Sequence, residues 1–540
     1  MRSNIGRRRL YTERESMMSW KTVARAAGII LIIVSSAGAA DLESVLQTHL
    51  RAVGEWDSLS ALTSVASFSS VSYMGIGGKV VGYVSFPSKY RTQLDLDVVS
   101  EDKGFDGMTA WTLGANGAVR RDTPEELKPM INELYFQSYS YLLPRRNAGR
   151  AAYCGDTLIE GKTYHQLALY PQGGDSLSVF VNAQNGRIEY RSEFVTGLRV
   201  ITQYSDFRTV SGLVVPFVMN AATPEAPYRM ETRVDSLWIN PDLPDSLFVM
   251  PGKSVADLRF PVRTDSIVVP LEMTGDALYV QVGVNGRGPY RFLLDSGAGA
   301  TVISRRLADS LGIAVHGDVP VRGVGGFGSI GYGVIDSLTI GPLSWYLTRI
   351  TVYDFDAMAA GSWQSLGGIL GYDFFARFPM RFDFDRKEIV LYHPDASRPD
   401  AGGESLDVEI FYQIPIIEIF LDGRPVRMAF DLGAQTGAVV RKDSRWYRQA
   451  GERFNAQSST AEIFGMGGTQ TVATGYGDFL EIGSQIIDTP SVMVTESYTE
   501  LPFPEYIEGF LGVDVLKRFN WVIDYAQSRI YLLPRAAPDK

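Results

Sequence analysis

A pattern near residue 290 returns near residue 427, and an internal repeat limits the possible folds before any single motif is interpreted. The first copy runs Tyr279-Val280-Gln281-Val282-Gly283-Val284-Asn285-Gly286 and then Tyr290-Arg291-Phe292-Leu293-Leu294-Asp295-Ser296-Gly297-Ala298. The second runs Ile416-Ile417-Glu418-Ile419-Phe420-Leu421-Asp422-Gly423 and then Val426-Arg427-Met428-Ala429-Phe430-Asp431-Leu432-Gly433-Ala434. Each copy predicts two strands around an Asn-Gly or Asp-Gly hairpin turn, the second strand delivering an aspartate into a glycine turn. Further elements recur in order. Glycine-rich segments follow at Gly323-Val324-Gly325-Gly326-Phe327-Gly328 and Phe464-Gly465-Met466-Gly467-Gly468, then Ile369-Leu370-Gly371 and Phe510-Leu511-Gly512. From aspartate to the last of these glycines is 76 residues in one copy (295 to 371) and 81 in the other (431 to 512). Each copy closes on a strand pair, Met380–Phe384 with Ile389–Tyr392 and Trp521–Tyr525 with Ile530–Leu533. A duplicated β fold follows, with lobes at 264–395 and 408–535.

Taken together, Asp295-Ser296-Gly297-Ala298, a glycine-rich flap and Ile369-Leu370-Gly371 resemble the retropepsin branch of the aspartic proteases. The resemblance covers about half the chain, and it is the ordered set, present twice, that is specific. It implies acid-protease β-barrel lobes and a catalytic pair, Asp295 and Asp431, supplied within one monomeric chain by a pseudo-twofold. Two carboxylates about 3 Å apart cannot both ionise, so they share a proton and titrate as a pair. By the same resemblance, the ionised member takes a proton from water while the other polarises a peptide carbonyl. Ser296, Gly297, Ala298, Gly433, Ala434, Ile369, Leu370, Gly371, Phe510, Leu511 and Gly512 would support the two loops. Gly325, Gly326 and Phe327, with Gly465, Met466 and Gly467, would form flaps that close over substrate.

The second copy departs where it matters. Leu432 stands where the family has a serine or threonine whose hydroxyl ties the loops together, and Gln435-Thr436-Gly437 replaces Gly299-Ala300-Thr301. Three readings therefore stay open: an intramolecular dyad, a protease active only as a homodimer through Asp295, and a fold that binds polypeptide without cutting it. Asp373 and Asp514, after the two apolar-apolar-glycine elements, are expected in structural or capping roles.

Ahead of the repeat, residues 41–252 alternate apolar and polar positions between Gly, Pro, Asn and Asp breaks, which predicts an antiparallel sheet with one wet face. A helix is expected over Pro124–Leu143, with Thr123 as its cap. Phe86-Pro87-Ser88-Lys89-Tyr90-Arg91, Gly104-Phe105-Asp106-Gly107 with Trp111, and Tyr204–Arg208 before Gly212–Phe217 resemble the periplasmic lipoprotein-carrier (LolA-like) superfamily. That implies an open half-barrel with an apolar face for a hydrophobic ligand; a closed structural domain is the other reading.

Residues 1–40 have the parts of a secretory signal: Arg7-Arg8-Arg9, an apolar run from Ala26 to Val34, and small residues to Ala40. An exported protein, periplasmic or secreted, is expected, with an uncleaved anchor as the rival. Cys154 is the only cysteine and the four histidines are scattered, so neither a disulfide within the chain nor a zinc site is expected. With a net charge of −10 and no basic run beyond the N-terminus, nucleic acid is not an expected partner. Gly323–Gly328 also fits a dinucleotide-binding pattern, but the strand-like Ile335–Ile340 follows where a helix is needed. No organic cofactor or metal is called for. The expected partner is a peptide or protein substrate.

Overall fold

The computed structural model describes residues 41–533 and 535, apart from 196–197, 225–226, 262–263, 324–325, 358–364, 396–401 and 496–505. The signal-like residues 1–40 and flap residue Gly325 lie outside this set. The fold is mainly β and its sheets are chiefly antiparallel. The residues group into two compact units, 41–63 with 131–234, and 64–130 with 235 onward.

In the first unit, six strands follow one another as an antiparallel meander: Gly149–Ile159, Lys162–Pro171, Leu177–Asn182, Ile188–Val195, Leu198–Val210 and Leu213–Ala222. Asp41 caps the helix Leu42–Val53, its carboxylate accepting from Ser44 N. Val45 joins Leu167, Leu169, Val179 and Tyr204 in the core. His49 is buried among them, its ring nitrogens meeting Gly186 O at 2.8 Å and the Tyr141 hydroxyl at 3.0 Å. Burial pushes this imidazole down to about 4, against the carbonyl of Gly186, so it is neutral and structural at physiological pH.

The second unit begins with a meander of its own: Ser64–Tyr73, Ile76–Ser85, Lys89–Asp95, Ser100–Phe105, Ala110–Gly114 and Val119–Arg121. The helix that follows is Pro124–Gln137, shorter than expected, because Tyr139 takes a left-handed φ of 54° that a helix cannot continue through. Thr123 and Glu126 form a reciprocal cap: Glu126 N donates to Thr123 Oγ1 at 3.3 Å and Thr123 N to Glu126 Oε2 at 3.0 Å.

The two repeats then carry the same strand pairing. Hairpins Ala277–Val284 with Arg287–Leu294, and Ile414–Leu421 with Arg424–Phe430, turn at Asn285-Gly286 and Asp422-Gly423, all four at positive φ as a type I′ turn requires. The second strand of each lies parallel to the apolar-apolar-glycine strand, Gly368–Leu370 or Gly509–Leu511. That strand pairs antiparallel with Val302–Ser304 in one lobe and Ala438–Arg441 in the other. Helices missed by strand patterning follow both, Arg305–Leu311 and Arg445–Gln457, started by Ser304 and Ser444 hydroxyls. The lobes join through a six-stranded sheet in which Met380–Asp383 pairs Asn520–Asp524, Phe382 opposite Trp521. One apolar core runs through both, and Ala118 of the preceding meander belongs to it.

His49 makes a pH prediction. Between its folded value near 4 and the ordinary value near 6.5 the unfolded chain binds the extra proton, so stability is lost as pH falls through that window, by up to about 3 kcal/mol. Urea midpoints measured from pH 7 to pH 4 should fall less steeply in His49→Gln than in the native protein.

Candidate active site

Each aspartate sits where its strand leaves the sheet, anchored by its own backbone. Asp295 N donates to Leu370 O at 3.1 Å and Asp431 N to Leu511 O at 3.0 Å, which ties both loops to the apolar-apolar-glycine strands. The loops rest on the glycines that end those strands. A methyl on Gly371 would stand 2.2 Å from Ala300 O, and one on Gly512 would stand 2.4 Å from Thr436 O. Tyr372 N and Val513 N then donate to Ala298 O and Ala434 O, each at 2.8 Å. Ile369-Leu370-Gly371 and Phe510-Leu511-Gly512 thus form the floor under the loops.

The loops meet face to face. A Cβ added to Gly297 would lie 2.6–2.7 Å from the Asp431 carboxylate, and one on Gly433 would lie 2.3–2.6 Å from that of Asp295. Each carboxylate therefore packs on the glycine following the other, a position that no side chain can share. Ser296 ties the loops across the pseudo-twofold. Its hydroxyl donates to Phe430 O at 2.7 Å and accepts from Leu432 N at 3.0 Å. Leu432 fills the matching place with hydrocarbon, buried in the common core. The hydroxyl bridge is one-sided.

Burial raises Asp295 well above the ordinary carboxylate range, and the negative charge of Asp431 adds to the effect against the N–H of Gly297. Burial raises Asp431 as well, opposed by the N–H groups of Gly433 and Ala434. Asp431 Oδ1 accepts from both of these, at 2.9 and 3.2 Å, whereas Asp295 Oδ1 accepts from Gly297 at 2.9 Å. The N–H donors at Asp431 favour negative charge on that member of the pair.

Both flaps are hairpins, His316–Gly323 with Gly326–Ile340 and Ser459–Gly465 with Gly468–Tyr476. Their tips touch backbone to backbone: a Cβ on Gly467 would be 2.3 Å from Gly326, and one on Gly323 would be 2.5 Å from Met466 O. Glycine is required for this approach. Gly465 pairs Gly468 at the second tip, while Phe327 lies in the strand leaving the first, opposite Arg322. Met466 packs against the apolar cluster that holds Ala298, Tyr353 and Ile369. A matching cluster around Ala434 holds Phe411, Val439 and Phe510. Asp373 and Asp514 have parted ways. Asp373 is buried, accepting from Thr301 N at 2.8 Å and Thr301 Oγ1 at 2.5 Å, while Asp514 stays near the surface beside Lys517 at 3.4 Å. The bracing role of Thr301 escaped the sequence reading, although it stands in the departure Gly299-Ala300-Thr301. Among the described residues no three His, Cys, Asp or Glu side chains gather as a metal site would need.

Two predictions follow from the proton sharing and the hydroxyl bridge. Because both carboxyls are raised, this pair binds more protons in the folded state than in the unfolded chain from about pH 4 upward, and its own contribution to stability, opposite in sign to that of His49, falls as pH climbs through that range. Asp295→Asn should therefore melt above the native protein at pH 7, with the difference vanishing below about pH 4. Ser296→Ala strands Phe430 O and Leu432 N and should cost about 1–3 kcal/mol in chemical denaturation.

The model of the aspartyl protease family matches residues 280–374. No curated protein matches the chain. Among solved structures, a retropepsin-like aspartic protease from Rickettsia conorii is 20% identical, over 24% of this chain and 90% of that one, with a TM-score of 0.18. A LolA superfamily protein from Nitrosomonas europaea is 11% identical over 39% of this chain and 98% of that one, TM-score 0.28. A putative outer membrane lipoprotein-sorting protein domain from Vibrio parahaemolyticus is 10% identical over 38% and 95%, TM-score 0.27. The stretch matched by the family model holds Asp295, the first flap and Ile369-Leu370-Gly371.

Proposed function

We propose that this protein is an exported aspartic endopeptidase whose catalytic dyad, Asp295 and Asp431, is assembled within one chain. The observation that carries the reading is the reciprocal packing of each carboxylate on the glycine after the other. Such packing brings together two acids that can share one proton, the arrangement needed to split a peptide bond with water. Asp431, with two N–H donors, is the member that takes the proton from water. Asp295 holds the shared proton and gives it to the carbonyl oxygen of the scissile bond. The water oxygen bonds to the carbonyl carbon in the same step; as the tetrahedral intermediate collapses, Asp431 passes the proton it took to the leaving amine, Asp295 regains its proton from a hydroxyl of the intermediate, and the C–N bond breaks.

The flap tips, meeting through glycine backbone, would part to admit substrate and close to exclude water. Export rests on the basic, apolar and small-residue succession in residues 1–40.

The test is cleavage of a diverse peptide mixture by the chain from Asp41 onward across about pH 3 to 8, with sedimentation to establish its mass. A monomer that cleaves, and loses about 10²–10⁴-fold of its rate in both Asp295→Asn and Asp431→Asn, is the expected result. Retention of cleavage in Asp431→Asn would overturn the intramolecular dyad. A native protein that captures peptides but cuts none at any pH would overturn the peptidase reading in favour of a binding protein.

A further inference from the structure

The turn Gly114–Ala118, between the last two strands of the early meander, reaches into the first lobe. Gly117 has a φ of +77°, and a Cβ there would stand 2.7 Å from Arg377 Nη1. Asn116 is 8% exposed, and its whole amide is used by the lobe. Its Nδ2 donates to Arg349 O at 2.8 Å and to Asp373 Oδ2 at 2.6 Å, while its Oδ1 accepts from Arg349 N at 3.0 Å. The other oxygen of Asp373 holds Thr301, whose hydroxyl accepts from Gly371 N at 3.3 Å. Asn116 is thus two side chains away from the loop that carries Asp295.

Ten residues on, Glu126 reaches the second lobe. Its Oε1 accepts from Tyr412 N at 2.9 Å, and its carboxylate is held by both terminal nitrogens of the buried Arg120, at 3.0 and 2.7 Å. Tyr412 and Gln413 both have positive φ, 42° and 68°, so this turn is backbone held out of its ordinary range. It is placed against the first lobe's loop: a Cβ on Gly299 would be 3.0 Å from Gln413 Oε1. One short segment therefore grips a buried group of the first lobe and a strained turn of the second, and both grips end at residues 295–301. In the second lobe the counterpart carboxylate, Asp514, lies near the surface beside Lys517.

We propose that residues 116–126 are a clamp that holds the first aspartate loop, residues 295–301, against the second lobe, replacing the half of the hydroxyl bridge that Leu432 gives up, with Asn116 and Glu126 as positioning residues. The inference rests on the peptidase reading for its consequence but not for its geometry. It makes the early meander a working part of the catalytic unit: separating it from the lobes would end activity, not release it. It also implies that any displacement of the 114–126 segment would be felt at Asp295.

The experiment compares Asn116→Ala, Glu126→Ala and Glu126→Gln in the chain from Asp41 onward, each shown folded by its melting curve. The first two should lower kcat about tenfold with KM little changed, and Glu126→Gln, which keeps an acceptor for Tyr412 N, should recover part of the loss. The same substitutions are then made on Leu432→Thr, or Leu432→Ser if the first does not fold. If the clamp stands in for the missing hydroxyl, the loss from Asn116→Ala should shrink to about twofold in that background. Equal losses in both backgrounds would overturn the proposal and leave these residues as supports of the fold. Amide exchange at Gly297, Leu432 and Gly433 gives a readout independent of cleavage. Exchange about tenfold faster in the Asn116→Ala, Glu126→Ala double variant supports the clamp even if the native protein cuts nothing. Unchanged exchange overturns it.

Discussion

The two lobes are arranged around the approach of two carboxylates that repel each other. Water would keep such groups apart, and so would a side chain on either following residue; Gly297 and Gly433 remove the second obstacle, and burial with a shared proton removes the first. The approach must still be held. Below the loops, Gly371 and Gly512 let the apolar-apolar-glycine strands come within contact of loop carbonyls. Beneath those strands the core of both lobes is continuous, and the six-stranded sheet joins them through Phe382 and Trp521. Rigid support of this kind keeps the two acids from relaxing apart.

The halves share a plan but not their chemistry. Ser296 bonds to the opposite loop through both its donor and its acceptor, and Leu432 contributes packing alone. Asp373 is drawn inward by Thr301 and Asn116, whereas its counterpart Asp514 faces Lys517 near solvent. Asp431 Oδ1 accepts from Gly433 and Ala434 N–H, and Asp295 Oδ1 from Gly297 N–H, which separates their tendencies to ionise. A duplicated site within one chain is free to diverge in this way, because the copies are no longer constrained to be identical as they are in a symmetric dimer.

Much of this could be read from the sequence because the determinants are local. Asn285-Gly286 and Asp422-Gly423 specify hairpins by their backbone preferences, and Thr123 to Glu126 mark a helix start by side-chain reach alone. Other features were hidden for equally physical reasons. The end of the helix at Gln137 follows from the left-handed Tyr139, a residue with no special preference for that conformation. The helices after Ser304 and Ser444 interrupt a strand-rich pattern and show only in their caps. Asn116 reads as an ordinary turn residue, and Glu126 as an ordinary capping partner.

The sequence by itself determined the repeat, the two aspartates with their glycine turns, the flaps and the Leu432 departure, since each depends on residue type at short spacing. It was the tertiary structure that decided which groups meet across the chain: Ser296 with Phe430 and Leu432, Asn116 with Asp373, Glu126 with Tyr412. Contacts between residues a hundred or more positions apart leave no periodicity in one sequence, because they are selected by the shape of a shared core that exists only once the chain has folded.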